Sequence, residues 1–352
     1  MFQRENTKRI FVGSVPVGGG APVSVQSMCC TRTTDIAATL DQMRRLRAAG
    51  CDIIRVAVPD MEAAHAIATL REAAVMPIVA DIHFDYRLAL EAAAAGADAI
   101  RINPGNIGAP ERVRAVAQCC AERRIPIRVG VNSGSVEKSM LARFGGPTAE
   151  ALTESAAGEL AALHDCGFEN VALSVKASDP VVTVQAYRLA AERFDCPLHL
   201  GVTEAGTAYH GVIRSALGIG ALLLDGIGDT IRVSLTADPV EEVRAGIEIL
   251  KAAGLRRGGV RFVSCPTCGR TRIDLIGLAK QVEEAVGALD RDITVAVMGC
   301  EVNGPGEARE ADYGVAGGNG FGSLFRRGQV VRTKIPEAEL VSALTALIAE
   351  EE

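Results

Sequence analysis

Short runs of β-branched and aliphatic residues alternate with alanine-rich amphipathic segments through most of the chain. The amphipathic segments, such as Ile36–Ala49 and Pro239–Ala253, have the apolar spacing of helices that cover a sheet. Eight such units would close a parallel barrel, whereas a doubly wound sheet would normally show G-x-G-x-x-G after its first strand. That fingerprint is absent, so we predict an α/β fold with a (β/α)8 TIM-like barrel over residues 1–253. The predicted strands are Val23–Met28, Ile53–Val58, Ile78–Ile82, Ala99–Asn103, Ile127–Val131, Val171–Val175, Leu198–Val202 and Ile231–Leu235.

A smaller α+β domain is predicted after the barrel. Residues 254–259 contain three glycines and two arginines and are typical of a linker. Residues 260–352 then alternate strand and helix patterns, with a glycine-rich loop expected at Gly314–Gly322. The other predicted elements of this domain are strands Val260–Ser264 and Ile293–Met298 and helices Asp274–Leu289 and Glu337–Glu352.

Four predicted barrel strands carry an arginine between two aliphatic residues. Because side chains alternate along a strand, aliphatic neighbours that face the helices leave each arginine facing the barrel interior. Buried guanidinium groups are costly without an anion, and their planar forks suit phosphate oxygens. We therefore expect a pocket for a strongly anionic ligand such as a diphosphate; pairing only with protein carboxylates is the alternative. The cations are Arg55, Arg101, Arg128, Arg232 and, at the end of a fifth strand, Lys176.

Other polar residues follow the carboxyl ends of predicted strands, where barrel enzymes place their active sites. Asp81 and His83 are two residues apart and can share one face. Glu204, just past the seventh strand, is the best candidate for a proton donor. The remaining candidates at strand ends are Gln26, Ser27, Asn103, Asn132, His199, Thr203 and Ser234.

The C-terminal domain gathers three cysteines and a carboxylate. Cys265 and Cys268 form a Cys-x-x-Cys pair, Cys300 follows the next predicted strand, and Glu307 ends the segment Asn-Gly-Pro-Gly-Glu. No histidine occurs after His210, so a structural zinc site would lack its usual fourth ligand. Three thiolates favour an iron–sulfur cluster, and an oxygen ligand or none at the fourth position leaves one iron exchangeable.

Composition and charge argue against several classes of function and location. The formal net charge is −6 and no block of lysine or arginine occurs, which argues against nucleic acid as the main partner. No signal-peptide pattern is evident, and the most apolar stretch is too short to span a bilayer. Ten cysteines without a secretory signal indicate a reducing, cytoplasmic compartment.

Several long strings of residues carry a family resemblance that runs nearly from end to end. The chain resembles the bacterial 4-hydroxy-3-methylbut-2-en-1-yl diphosphate synthases of the methylerythritol phosphate route to isoprenoids. One departure is Cys29-Cys30, which takes the place of a usual Thr-Asn. The matching strings include Val-Ala-Asp81-Ile-His83-Phe-Asp-Tyr, Arg101-Ile-Asn-Pro-Gly-Asn-Ile-Gly, His199-Leu-Gly-Val-Thr-Glu204-Ala-Gly and Asn303-Gly-Pro-Gly-Glu307-Ala.

The resemblance implies a [4Fe–4S] cluster held by Cys265, Cys268, Cys300 and Glu307, with Glu204 as the essential acid. It implies reductive ring opening of 2-C-methyl-D-erythritol 2,4-cyclodiphosphate by two electrons from flavodoxin or ferredoxin. It also implies a head-to-tail homodimer. The residues expected to bind substrate are Arg55, Asp81, His83, Arg101, Arg128, Asn132, Lys176, His199, Arg232 and Ser234.

Two other functions stay open at this point. A non-redox [4Fe–4S] dehydratase acting on a phosphorylated substrate would use the open iron as a Lewis acid and need no reductant. A non-enzymatic binding protein with a zinc-tied C-terminal module would need no cluster. An enzyme that cleaves S-adenosylmethionine is disfavoured because Cys-x-x-x-Cys-x-x-Cys does not occur.

Overall fold

The computed structural model describes residues 2–287, 289, 291–300, 306 and 308–350 and divides into two compact units. The first unit is Met1–Arg256 and the second is Arg257–Glu352. Among the described residues, no helix combines the length and apolar character needed to cross a membrane.

The first unit is a closed parallel barrel, as predicted. Its eight strands are hydrogen-bonded in the order β8-β7-β6-β5-β4-β3-β10-β9. A parallel bridge between Leu173 and Leu198 joins β8 to β9 and closes the ring. The barrel strands are β3 (Ser24–Met28), β4 (Ile53–Ala57), β5 (Ile78–Asp81), β6 (Ala99–Ile102), β7 (Ile127–Asn132), β8 (Val171–Lys176), β9 (His199–Leu200) and β10 (Thr230–Ile231).

Ten helices of this unit connect the strands, and their apolar faces pack on the outside of the barrel. Several begin with an aspartate that accepts a backbone N–H of the first turn, as Asp35, Asp60 and Asp179 do, which defines where each helix starts. The helices are α1 (Ile36–Ala48), α2 (Met61–Ala73), α3 (Tyr86–Ala94), α4 (Pro104–Ile107), α5 (Pro110–Arg123), α6 (Lys138–Phe144), α7 (Ala149–His164), α8 (Pro180–Arg193), α9 (Ala208–Leu224) and α10 (Pro239–Ala252).

An N-terminal hairpin closes the amino end of the barrel, an element that the sequence pattern did not reveal. Its strands β1 (Ile10–Val12) and β2 (Val15–Val17) pair antiparallel. Ile10, Val12 and Val17 pack on inward-facing side chains at the start of the barrel strands, including Ile53. Because this end is filled by apolar side chains, the polar chemistry is confined to the carboxyl ends of the strands.

The described residues of the second unit form a five-stranded mixed sheet and include the helices α11 and α12. Its strands are ordered β11-β12-β13-β14-β15, and the first three run parallel. The glycine-rich segment expected as a loop instead forms β13 and the start of β14: glycines at positions 314, 317 and 322 lie where a side chain would collide with Phe325, Ile273 or Leu340. The elements are β11 (Val260–Ser264), α11 (Leu275–Val286), β12 (Ile293–Met298), β13 (Tyr313–Gly318), β14 (Phe321–Arg326), β15 (Gln329–Pro336) and α12 (Leu340–Ala349).

Candidate functional site

A polar cavity of about 100 Å³ opens at the carboxyl ends of the barrel strands. Eight of the ten residues predicted to bind substrate line it, together with Thr203, which the sequence analysis named as a strand-end candidate, and Ser174, which it did not. The eight are Arg55, Asp81, His83, Arg101, Asn132, Lys176, Arg232 and Ser234.

Asp81 is the central carboxylate of the cavity. Its oxygens lie 3.3 Å from Nη1 of Arg101, 3.7 Å from Nε of Arg55 and 3.5 Å from Nε2 of His83. Burial opposes ionisation of this carboxyl, but Arg55, His83 and Arg101 more than offset it and hold its pKa well below the usual range. Asp81 is therefore an anion that orients two arginines.

Positive charge exceeds negative charge in the cavity. Arg55, Arg101, Lys176 and Arg232 line it, against the single carboxylate Asp81. Burial, followed by repulsion from Arg128 and Arg55, holds the pKa of Lys176 well below its usual range. Burial also lowers the pKa of Arg55 to about 10. An arrangement of desolvated cations with too few acids is what an incoming polyanion stabilises.

Glu242 supplies a second carboxylate that the sequence analysis missed. It extends from α10, is 5% exposed, and lies 3.4 Å from Nη2 of Arg232. Its position after Asp-Pro-Val-Glu at a helix start resembles ordinary helix capping, so the sequence held no sign that it turns inward.

One glycine inside β7 and one directly after β9 allow the cations to pack closely. A Cβ at Gly130 would lie 2.5 Å from Nε of Arg101, and one at Gly201 would lie 2.8 Å from Nζ of Lys176. A glycine within a strand pattern indicates close approach of another group. The strings Val-Gly-Val and Leu-Gly-Val were therefore a usable signal for this site.

Arg128 and His199, also predicted to bind substrate, do not line the cavity. Arg128 donates to Gln26, and the two border a small apolar cavity against the N-terminal hairpin. His199 is fully buried, with Nδ1 3.4 Å from Oγ1 of Thr230. Burial and then Arg128 lower the pKa of His199 well below its usual range, so the imidazole is neutral. Both residues lie in the barrel interior beneath the cationic layer.

Glu204 follows Thr203, which lines the cavity, but its own side chain is exposed and lies outside the lining. Its φ of 53° is in the left-handed region, which is strained for a residue with a Cβ. Such strain is concentrated at functional positions because the surrounding structure must enforce it.

The predicted cluster ligands lie in the second unit. Cys265 follows β11 and Cys300 follows β12, and these parallel strands pair with Ser264 opposite Val297, which brings both cysteines to one edge of the sheet. The backbone N–H of Gly299 donates to Sγ of Cys265 at 3.2 Å. A backbone N–H and the side chain of Arg270 lower the pKa of the exposed Cys268.

These contacts suit thiolates, the form that binds metal. The three cysteine sulfur atoms are the type of ligand that binds iron–sulfur clusters. Within the described ranges, no three His, Cys, Asp or Glu side chains are close enough to hold one metal ion. Glu307, the fourth predicted ligand, lies outside the described residues.

Both units of the chain match known protein families. The GcpE TIM-barrel domain matches residues 7–247, and the GcpE protein C-terminal domain matches residues 261–350. The 4-hydroxy-3-methylbut-2-en-1-yl diphosphate synthase (flavodoxin) of Geobacter sulfurreducens is 57% identical over 343 residues, 97% of each chain. The protein with the same description from Clostridium perfringens is 54% identical over 347 residues, 99% of each chain.

Solved structures that resemble this chain are more distant and show the fold alone. The dihydropteroate synthase of Yersinia pestis has a TM-score of 0.50 at 13% identity and covers 70% of this chain and 97% of its own. The 3-dehydroquinate dehydratase of Geobacillus kaustophilus also scores 0.50, at 17% identity, over 72% of this chain and 99% of its own. With both family domains matched in order along nearly its whole length, the chain belongs to the GcpE family.

Proposed function

We propose that this chain catalyses the reductive ring opening of 2-C-methyl-D-erythritol 2,4-cyclodiphosphate to 4-hydroxy-3-methylbut-2-enyl diphosphate in the methylerythritol phosphate pathway. The observation that carries the proposal is the cavity in which the cations Arg55, Arg101, Lys176 and Arg232 outnumber the two carboxylates beside them, Asp81 and Glu242. The curated relatives named for this product are more than half identical over nearly the whole chain. An anionic substrate of two phosphates matches the excess of positive charge.

The barrel residues bind and orient the substrate. Arginine forks and the Lys176 ammonium grip phosphate oxygens, while Asn132 and Ser234 offer neutral donors beside them. Asp81 keeps Arg55 and Arg101 in place before the phosphates arrive. Binding energy from the phosphates, which do not react, then holds the reacting carbon in position.

Cys265, Cys268, Cys300 and Glu307 are the proposed ligands of a [4Fe–4S] cluster, which when bound supplies the two electrons one at a time. Glu204 is the proposed acid, donating a proton to the hydroxyl that leaves as water. Glu204 directly follows Thr203, which lines the cavity, and this supports the role. Flavodoxin is the proposed electron donor because the relatives' names include it, and ferredoxin is the alternative. The proposed assembly is a homodimer.

The decisive experiment uses anaerobically purified protein with the cyclic diphosphate, with and without reduced flavodoxin. We expect a brown protein that forms the open-chain diphosphate only when the reductant is present. Loss of water from the cyclic diphosphate without any reductant, giving a different product at the same oxidation level as the substrate, would instead support the non-redox dehydratase. A colourless protein that binds stoichiometric zinc would overturn the proposal.

A further inference from the structure

A buried carboxyl group beside Arg101 has no hydrogen-bond partner. Glu159 projects from α7 and is 4% exposed, and neither of its oxygens meets a donor among the described residues. Arg101, the neighbouring cation, donates instead to Asp81 and to the carbonyl oxygen of Gly130. A buried polar group that the rest of the chain leaves unsatisfied indicates that a bound ion or another ligand satisfies it.

Two other oxygens lie close to the same place. A Cβ on Gly105 would lie 3.2 Å from Oδ1 of Asn103, 3.5 Å from Oε1 of Glu137 and 3.6 Å from Oε1 of Glu159. The amide oxygen and the ionised carboxylates are all hydrogen-bond acceptors, and the two carboxylates repel each other. Such a group of oxygens is stable only with a cation or a proton among them.

Gly105 keeps this place free of side-chain atoms. It lies in α4, and its φ is outside the left-handed region, so the backbone there does not require glycine. Glycine also weakens a helix relative to alanine. An alanine methyl group would occupy the space among the three oxygens. A ligand held by these oxygens therefore gives a physical reason for glycine at this position.

We propose that Asn103, Glu137 and Glu159 bind a divalent cation of the Mg²⁺ type. Oxygen donors without sulfur or nitrogen suit hard cations, and Mg²⁺ is commonly held by one or two carboxylates while it keeps several waters. Glu137 is exposed, which gives the ion a path of entry and leaves room for those waters. Two carboxylates also balance two positive charges, which favours a divalent over a monovalent ion.

The bound cation joins three segments near the cavity. Its ligands come from the loops after β6 and β7 and from α7. Nδ2 of Asn103 donates to Oγ of Ser135 at 3.5 Å, and that hydroxyl bonds the backbone N–H and carbonyl of Asn132, which lines the cavity. The cation also neutralises two carboxylates near Arg101, so the charge of this arginine stays available to an anion in the cavity. The site does not depend on the proposed reaction.

The test is the binding of Mn²⁺, a paramagnetic probe for Mg²⁺, to the anaerobically purified full chain. Substrate is left out because its phosphates would bind the cation themselves. Electron paramagnetic resonance of free Mn²⁺ at about pH 8.5, where carboxyl protons compete least, should show a single site per chain that excess Mg²⁺ empties. Glu159→Gln removes a ligand charge and should raise the Kd at least about 10-fold. The matched control is Glu154→Gln on the same helix, which loses only its pair with Arg193 and should keep the Kd.

A second variant separates the cation from the acidic charge. Gly105→Ala keeps all three ligands but places a methyl group among them, so Mn²⁺ should bind at least about 10-fold more weakly. Gly158→Ala is its control, because a Cβ there meets nothing within 4 Å. Circular dichroism checks that each variant folds. A natural chain that binds no Mn²⁺ at millimolar concentration would overturn the proposal. So would Glu159→Gln and Gly105→Ala proteins that bind Mn²⁺ as tightly as their controls, which would leave a shared proton as the partner of Glu159.

Discussion

The carboxylate of Glu242 lies 3.4 Å from Nη2 of Arg232 and accepts the backbone N–H of Leu235 at 2.9 Å. A helix outside the barrel thus fixes both a cation of the cavity and the backbone that follows the last barrel strand. Oγ of Ser27 is a third donor at 3.4 Å. The buried carboxylate of Glu242 accepts from three donors, so removing its charge affects more than one contact.

Replacing Glu242 with Gln should destabilise the fold. The amide can still accept from Leu235, but Arg232 loses its counter-ion in a mostly buried place, so we expect the free energy of unfolding to fall by about 1–3 kcal/mol. Urea denaturation measures the change. The control is Glu241→Gln, which removes an exposed pair with Arg244 and should cost less than about 0.5 kcal/mol. Equal losses in the two variants would contradict the role of Glu242.

Binding of the cyclic diphosphate should be coupled to proton uptake by Lys176. In the empty cavity burial and the neighbouring arginines lower the pKa of Lys176, and bound phosphate oxygens should raise it. Affinity should therefore fall as pH rises through the pKa of Lys176 in the free protein. Isothermal titration without reductant, in buffers of different ionisation enthalpy, counts the protons, with up to about one expected per site.

Lys176→Met should bind more weakly and lose this proton uptake. Lys8→Met is the control, because Lys8 lies at the opposite end of the barrel beside Glu169 and should not change the proton count. Proton uptake that persists in Lys176→Met would assign it to another cavity group.

Much of the barrel was predictable because its pattern is local. All eight predicted strands occur, and the alternation rule placed Arg55, Arg101 and Arg232 facing inward. The last two strands are only two residues long, whereas five residues were predicted for each. A run of apolar residues indicates a strand but not where its pairing stops.

Other features depend on contacts between distant residues and left no local pattern. Arg128 matches the other arginines in sequence, yet its partner is Gln26 from a strand across the barrel, so its side chain lies below the cavity. The glycines of β13 and β14 suggested a loop in the sequence, but they lie in strands. Glycine occurs there because the core beneath these strands has no room for side chains. For Arg128 and for these glycines, contacts with residues distant in sequence determined the observed structure, and the local sequence pattern does not show such contacts.

The buried carboxyl group of Glu159 should make the free energy of unfolding depend on pH. It is 4% exposed on α7, and neither oxygen has a partner with hydrogen-bond geometry. Burial, with repulsion from Glu137, raises its pKa to about 8, which Arg101 and Asn103 only partly offset. In the unfolded chain this carboxyl group ionises near pH 4.3. Between about pH 4.5 and 8 it is therefore protonated in the folded state and ionised in the unfolded state. Stability contributed by this group is therefore lost as pH rises through that window.

Glu159→Gln should remove that loss. Relative to the natural chain, the variant should gain about 1–3 kcal/mol of unfolding free energy at pH 8 and much less at pH 5. Urea denaturation at both values measures the gain. Glu154→Gln is the control on the same helix, since Glu154 is only half-buried and is paired with Arg193. A gain of the same size at both pH values would show that Glu159 is already ionised in the folded protein.

Glu204 combines a strained backbone with a position next to Thr203, which lines the cavity, and two substitutions test the acid role and the strain separately. Glu204→Gln keeps the shape and the backbone strain but cannot donate a carboxylic proton. We expect turnover to fall at least about 100-fold, with the visible absorption of the cluster unchanged. An anaerobic assay with the cyclic diphosphate and reduced flavodoxin measures it. Full activity in this variant would refute the role of Glu204 as the acid.

Glu204→Gly tests the strain at φ 53° directly. Glycine adopts this conformation freely, so the variant should unfold at about 1 kcal/mol higher free energy than Glu204→Ala, which keeps the strain. Both variants should lack turnover because neither has an acid. Greater stability with no activity would mean that the chain tolerates a strained backbone in order to present this carboxyl group. Equal stability of the glycine and alanine variants would show instead that the loop relaxes, and that the positive φ has no bearing on how Glu204 is presented.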